Sequence, residues 1–564
     1  MRKLAYALIA VLVVLTACSS SNNGASPTAT SDTAAPSSSP ASPAVPSGSA
    51  ANASGLDSAA GQFPLTEQKE TITILAVQDP LITDLVDNEF TRYYENLTNV
   101  HIEWEVVQPN SKAERLNLAL ASGDYPDVLL NFGVSTSQQM VYGSQGTFLS
   151  LNDLIAKYGL ETQKIFDTYP EVKQAITAPG GNIYALPTID RNPHVMMFYK
   201  MWMYTPWLEK LGLSVPQTTE EFYRMLKAFK EQDPNGNGIA DEIPLTASYA
   251  GPGAVPLEEF LMNAFILHRP DYLIFDESGS IDVNFNKPEW KEGLKYLNRL
   301  YSEGLIPAET FVQNNQQMKE RVENPGDVIV GAVRANTLAQ FISLNHERAS
   351  EYKTVPPLEG PSGYRQFPYD YYNHIGGNFI ITDKAGNPDL IYRWIDGLLS
   401  PEMTQLANIG LEGVGWEKAS PDMKGLSGKP AVWNRLIQGG QQTNAHWGQT
   451  IIRHFSREMF EGLAATETQQ PYILYNETKN NYEPYKAPIE EMVPVMFFNE
   501  AQAFEYADLN KTITDYVKEM LVRFTIGEVS IDEGWDKYLA TLDSMNLDRY
   551  LQIHNEAYRA QYGS

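Results

Sequence analysis

The sequence predicts an α/β protein, and three observations carry that prediction. Apolar strand-like runs alternate with amphipathic helical runs from about residue 72 to 131; the strand-to-helix pattern returns at about 327–343 and 376–400; and about 500 residues remain after the N-terminal leader and tether, too many for a single core. The body opens with TITILAVQDP, whose β-branched run from Ile72 to Val77 reads as a buried strand. DLVDNEFTRYYENLTNV follows as a helix, and HIEWEVVQ alternates like a half-buried strand. SKAERLNLALASG predicts a second helix stopped by Gly123, leading into the strand YPDVLLNFG. This order suggests a doubly wound parallel sheet, which places ligands beyond the carboxyl ends of strands. The C-terminal SIDEGWDKYLATLDSMNLDRYLQIHNEAY reads as amphipathic helix.

The N-terminus has its own physics. Arg2 and Lys3 precede an apolar stretch from Leu4 to Leu15, the layout of a secretory signal (residues 1–17), too short to span a bilayer of about 30 Å. Leu15-Thr16-Ala17-Cys18 resembles a bacterial lipobox, which implies a diacylglycerol on Cys18, the only cysteine. Two acyl chains hold a protein on a membrane where one barely does. From Ser19 to about Thr66 the chain is Ser, Ala, Thr, Pro, Gly and Asn, a composition expected to form a flexible tether over 18–66 with a coil dimension of about 40 Å. Without a second cysteine no internal disulfide can form.

The formal charge is −27; cleavage of the leader removes two basic residues and leaves 40 against 69 acidic ones, a net charge near −29. Such a balance excludes a nucleic-acid surface, and it discourages polyanionic ligands unless cations or a local basic cleft intervene.

Several blocks together resemble extracellular solute-binding proteins of family 1, the receptor components of ABC-type sugar importers: RLNLALASGDYPDVLL, NIYALPTIDR, PWLEKLGLSVPQTTEEFYRMLKAFKEQDPNGNGIADEIPLT and YRWIDGLLSPE. Within that family the chain is most similar to large lipoproteins related to alginate-binding receptors. Where many relatives carry Arg-Lys-Asp-Trp-Leu, this chain reads MYTPWL, so a charged ligand contact at Tyr204 or Pro206 is not expected. The resemblance implies a two-lobed periplasmic-binding-protein fold of type II, each lobe a mixed sheet flanked by helices, hinged by crossovers and closing on ligand. Residues 67–190 with about 370–430 would form one lobe, and 191–369 with about 431–564 the other. It further implies a carbohydrate ligand, an oligosaccharide in particular, and ABC permease subunits as partners; a monomer is expected, and the long Ser/Pro tether without a second-membrane signal suggests an anchored position on the outer face of a Gram-positive membrane.

The sharpest chemical motif is QDPNGNGIADEIP. Asp233, Asn235 and Asn237 alternate, Gly238 permits a turn, Ile239 offers a carbonyl, and Asp241 with Glu242 complete the set over 233–242. Calcium takes about six to eight oxygens, and this spacing wraps them around one point. The twelfth position of an EF-hand would be Pro244, so the acid has moved to Glu242, as in relatives of the alginate-receptor type, where it is a structural calcium site. An Asn/Gly-rich turn bonding its own backbone is the alternative. Ahead of it, Thr218 and Glu221 suggest a capping box, with Phe222, Met225, Leu226 and Phe229 on one helix face.

Sugar sites combine flat aromatic faces with amides and acids. Trp202, Tyr204, Tyr369, Asp370, Tyr371 and Tyr372 stand near expected crossovers, Asn131 and Asn336 near strand ends, and Trp416 and Trp447 in an irregular Gly-rich region; Tyr199, Tyr249, Asp190, Arg191 and Trp433 are further candidates. No metalloprotease, nucleophile-elbow or phosphate-loop motif occurs. His446 and His454 read as packing or surface residues. A glycan-active enzyme and a binding or sensor lipoprotein without transport are the competing readings.

Overall fold

A computed structural model describes residues 61–372 and 376–563. The leader, Cys18 and the tether up to residue 60 lie outside the described residues. The body begins slightly before the tether was expected to end: Leu65 and Thr66 are already buried, and the Leu65 N–H donates to the Thr98 carbonyl at 3.0 Å. Strand β1 (Glu70–Val77) is buried along nearly its whole length, as its unbroken apolar run dictates for a central strand. Helix α1 (Glu89–Thr98) is capped by Asn88, whose side chain accepts from the Phe90 N–H, and ends on left-handed Asn99. Strand β2 (Val100–Val107) alternates buried and exposed residues because it lies at a sheet edge. Helix α2 (Lys112–Ser122) terminates on Gly123 at φ 73°. Strand β3 (Val128–Val134) and helix α3 (Thr136–Ser144), with its Ser135–Gln138 capping box, follow.

The chain then builds a second sheet. Its strands are β4 (Met201–Tyr204), β5 (Ile243–Thr246), β6 (Val330–Arg334) and β7 (Tyr352–Val355). Between β4 and β5 runs helix α4 (Thr219–Glu231), which buries Phe222, Met225, Leu226 and Phe229 as its spacing predicts. Thr218 caps it through the Glu221 N–H, while the Glu221 carboxylate accepts from Gln217 N–H rather than from Thr218, so the box is one residue wider than expected. After β6 the expected helix shrinks to one 3-10 turn, Leu338–Gln340. The Gln340 side chain closes it onto the Asn336 and Thr337 N–H groups, and Leu338, Phe341 and Ile342 are all buried.

Strand β8 (Gly377–Ile381) returns to the first sheet, and helix α5 (Pro388–Leu398) follows it. The first sheet has the order β8-β3-β1-β2. β1 is parallel to β2, in register from Glu70↔Val100 to Val77↔Val107, and to β3; β8 is antiparallel to β3. The second has the order β7-β4-β6-β5, with only β5 and β6 parallel. Both sheets are therefore mixed rather than doubly wound and parallel. The chain closes with helices α6 (Glu500–Thr525), α7 (Ile531–Ser544) and α8 (Leu547–Tyr562), the last two divided at left-handed Asn546.

Each sheet carries its own core. The first gathers Ile74, Phe90, Leu130, Phe379, Trp394 and Trp447; the second gathers Trp202, Phe229, Trp290, Phe341, Tyr482 and Phe524. Trp447, Ile451 and Ile452 pack into the first core, although the sequence assigns residues from 431 onward to the other half. The reason is a pair of long-range contacts: the Trp447 indole N–H donates to Thr91 at 2.7 Å, and its ring meets Phe90 edge-on at 4.7 Å. Residues return to the second core at Ile473.

Candidate functional site

The aromatic residues expected to face ligand divide sharply. Trp202 is fully buried and donates to the Ala335 carbonyl at 2.9 Å, so it is a core residue of the second sheet. Tyr204 is likewise buried against Tyr352 and donates to Glu351 at 2.8 Å. Trp447 belongs to the first core. None of the three offers a face to ligand. Asn336 is buried and accepts from Arg334 at 2.6 Å, orienting a guanidinium that also pairs with Glu259. Trp416 is half-buried between two clusters, its indole N–H buried without an acceptor.

Tyr369, Asp370, Tyr371 and Tyr372 do come together, in the segment that leads back to the first sheet. The rings of Tyr369 and Tyr371 stand 4.6 Å apart, and Lys486 lies 5.1 Å from the Tyr369 ring. The Asp370 N–H donates to the Met196 carbonyl at 2.8 Å, and Arg191 donates to the Tyr371 carbonyl at 3.0 Å, which ties the two strands of this connection to each other.

A cavity of about 290 Å³ opens at the carboxyl end of β1, where ligands sit in open α/β sheets. Asp79, two residues beyond β1, accepts from the Leu81 and Gln449 N–H groups at 2.9 and 2.8 Å. Gly448 is at φ 58°, and a Cβ there would lie 2.5 Å from the Asp79 carboxylate, so this turn admits glycine alone. Asn131, also left-handed at φ 63°, donates to the Gln449 carbonyl at 2.9 Å and thereby braces the same wall. On the far side, a short parallel bridge joins Ile189–Asp190 to His454–Phe455, and Asp190 pairs with Arg453 at 3.1 Å.

Two lining side chains keep a buried polar atom without a partner among the described residues. Arg435 forms no ion pair and its Nε is buried without an acceptor; burial alone holds its pKa below the usual guanidinium value. His446 is only 6% exposed, with Nδ1 unpartnered, and burial reinforced by Arg435 pushes its pKa down to about 4, leaving a neutral imidazole. Asn192, Gln438, Gln441 and the rings of Phe455 and Phe460 complete the wall. The cavity thus offers strong donors, amides and apolar faces, which suits a hydroxylated ligand. In the Gly-rich region the sequence points to tryptophans; the side chains that face the cavity from it are instead Arg435 and His446.

A second cavity, about 480 Å³, lies past the carboxyl ends of β5 and β6. Tyr249 donates to Glu258 at 2.6 Å and packs against Phe311 with ring centroids 5.0 Å apart. Burial pushes the Glu258 carboxyl up to about 7, against the opposing effect of the Tyr249 bond. Glu259, His268 and Lys518 share the lining.

The loop after α4 bonds its own backbone, the alternative that its Asn/Gly-rich sequence leaves open. Asp233, at φ 45°, accepts from the Gly236, Asn237 and Gly238 N–H groups at 2.9 to 3.1 Å. Asn235 and Asn237 turn their amides to Asp241, at 3.0 and 3.4 Å. Glu242 leaves one oxygen buried without a partner, and burial with the Asp241 and Asp233 charges raises its pKa. Among the described residues no cluster of three His, Cys, Asp or Glu side chains converges as a metal site. A cation here would therefore rely on asparagine and backbone oxygens as well. The orphaned Glu242 oxygen and the raised pKa that burial and the neighbouring Asp241 and Asp233 charges give it fit that role, while the Asn235 and Asn237 side-chain oxygens accept the Asn237 and Ile239 N–H groups at 3.1 and 2.7 Å.

The family model for bacterial extracellular solute-binding proteins matches residues 79–405. The fructooligosaccharide ABC transporter substrate-binding protein FusA of Streptococcus pneumoniae serotype 4 is 29% identical over 514 residues, covering 88% of this chain and 91% of FusA. Lipoprotein LipO of Bacillus subtilis is 24% identical, covering 83% and 88%. Among solved structures, an EF-hand mutant of FusA in complex with fructo-nystose superposes with a TM-score of 0.70 at 26% identity, over 86% of this chain and 98% of that one. An HMO binding, ABC-transporter associated solute-binding protein from Bifidobacterium longum infantis superposes with a TM-score of 0.73 at 21% identity, over 88% and 100%, and shares the fold.

Proposed function

This chain belongs to the bacterial extracellular solute-binding protein family, and from that premise we propose that it captures an oligosaccharide outside the cell and delivers it, chemically unchanged, to the permease of an ABC importer. One observation carries the reading: the cavity beyond β1 sets the unpartnered Arg435 Nε–H and the unpartnered His446 Nδ1 beside side-chain amides and two phenyl rings. Buried donors without acceptors are costly, and sugar hydroxyls supply acceptors where the bare site has none. The relation to FusA, whose name states a fructooligosaccharide, supports the ligand class.

In this reading residues 61–190 with 377 to about 465 form one lobe, and about 196–367 with about 470–563 the other, with the Tyr369–Tyr372 segment at the hinge. Closure requires ligand contacts in both lobes, and the Tyr249–Glu258 cavity is the second lobe's contribution. Cys18 carries the diacylglycerol anchor on the outer face of a Gram-positive membrane, and the protein acts as a monomer. The 233–242 loop holds a calcium ion through Asp233, Asn235, Asn237, Ile239, Asp241 and Glu242, where the ion's charge stabilises the turn and pins the end of α4.

The test is thermal unfolding against a panel of oligosaccharides, followed by chromatography of the recovered sugar. A ligand present at a hundred times its dissociation constant should stabilise the protein by about 2.7 kcal/mol. Absence of any stabilising glycan, or recovery of cleaved sugar, refutes the reading.

A further inference from the structure

Resting on that reading, we infer that the saccharide carries a single carboxylate, as a uronic acid does, and that Arg435 is the residue that recognises it. Arg435 and Arg453 line the cavity, and Arg191 and Arg457 lie in chain segments that flank its lining residues. Arg453 is paired with Asp190 at 3.1 Å, Arg191 with Glu171 at 2.9 Å and Arg457 with Glu483 at 2.7 Å, whereas Arg435 has no carboxylate among the described residues. The carboxylates of the cavity are committed elsewhere. Asp190 is held by Arg453 and by the Asn192 N–H, and both oxygens of Asp79 accept backbone N–H groups in the turn that Gly448 permits. The acids of the cavity thus already hold donors, while one planar, five-donor guanidinium has no carboxylate partner among the described residues.

Arg435 ends the β-strand Trp433–Arg435, whose Trp433 ring packs into a small apolar cluster. The packing fixes the strand and aims the guanidinium at the cavity. A carboxylate matches its fork geometry with two parallel N–H···O bonds and removes the cost of leaving a charge half-buried and unpaired. His446, neutral and buried beside it, supplies a further hydrogen-bonding edge for the same sugar. The overall charge of −27 sets the upper limit: a polyuronate meets long-range repulsion, while one carboxylate meets one open cation at short range.

The decisive experiment is isothermal titration of the full-length protein with matched ligands. These are the rhamnose–galacturonate disaccharide and glucuronosyl-xylotriose, each as the free acid and as the methyl ester, together with neutral kestose. The acid of at least one pair should bind tenfold or more tighter than its ester. Arg435→Gln should reduce that preference to less than twofold, while Arg435→Lys retains part of it and so separates lost charge from lost folding. Esters binding as tightly as acids, or kestose binding alone, overturns the inference and leaves the import reading standing. Failure of every saccharide in the wider panel overturns both.

Discussion

Glu258 shows how one side chain couples the site to solution conditions. Its carboxyl is 6% exposed and is pushed up to about 7, so the folded protein holds the proton more tightly than the unfolded chain does. The stabilising contribution of this proton is complete below about 4.5 and disappears as the pH rises through about 7. The shift corresponds to about 3 kcal/mol. Glu258→Gln should therefore flatten the fall in melting temperature between pH 5 and pH 8, with the largest gain at pH 8; parallel curves for mutant and wild type would show that the carboxyl is ionised in the fold. Residues of this kind are poorly legible in sequence. Trp202, Trp447 and Tyr204 have the composition and position of sugar platforms, yet burial depends on neighbours hundreds of residues away, such as Thr91 beneath Trp447. Arg435 is illegible for the converse reason: what distinguishes it is the lack of a partner, a property that exists only once Asp79 and Asp190 have been placed.

Among elements, those governed by local physics match their sequence. The strand Ile72–Val77, the stop at Gly123 and the buried stripe of α4 follow from apolar runs, a left-handed glycine and helical spacing. The antiparallel returns of β8 and β4 do not, because strand direction within a sheet is set by tertiary pairing. The loop at 233–242 is the element most open to test. Calcium in excess should raise the melting temperature by several degrees and a chelator should remove the gain, since a ligand of the folded state alone stabilises it by mass action. Glu242→Gln should abolish the response while leaving the chelated protein near its wild-type stability, whereas Asp233→Ala should abolish it and also lower the stability of the chelated protein, because three backbone N–H groups lose their acceptor. A melting curve indifferent to calcium and chelator would assign the loop to turn geometry alone.

At the scale of the whole molecule, the expected behaviour is a hinge. Small-angle scattering should show a smaller radius of gyration once a bound oligosaccharide has been identified, and identical curves with and without it would exclude closure as the means of capture. The two-lobed plan itself was legible through the resemblance of blocks between 115 and 402, whereas the C-terminal boundary was not, since Trp447 and Ile451 join the first core through contacts that no local pattern announces. That arrangement has a practical corollary. Each core is stitched from separated stretches, 65–189 with 379–452 and 197–367 with 473–557. Neither half corresponds to an uninterrupted piece of gene. A chimera that grafts one half onto a relative must exchange several junctions together, and a chain cut short anywhere in the body before residue 452 strips both halves of packing at once.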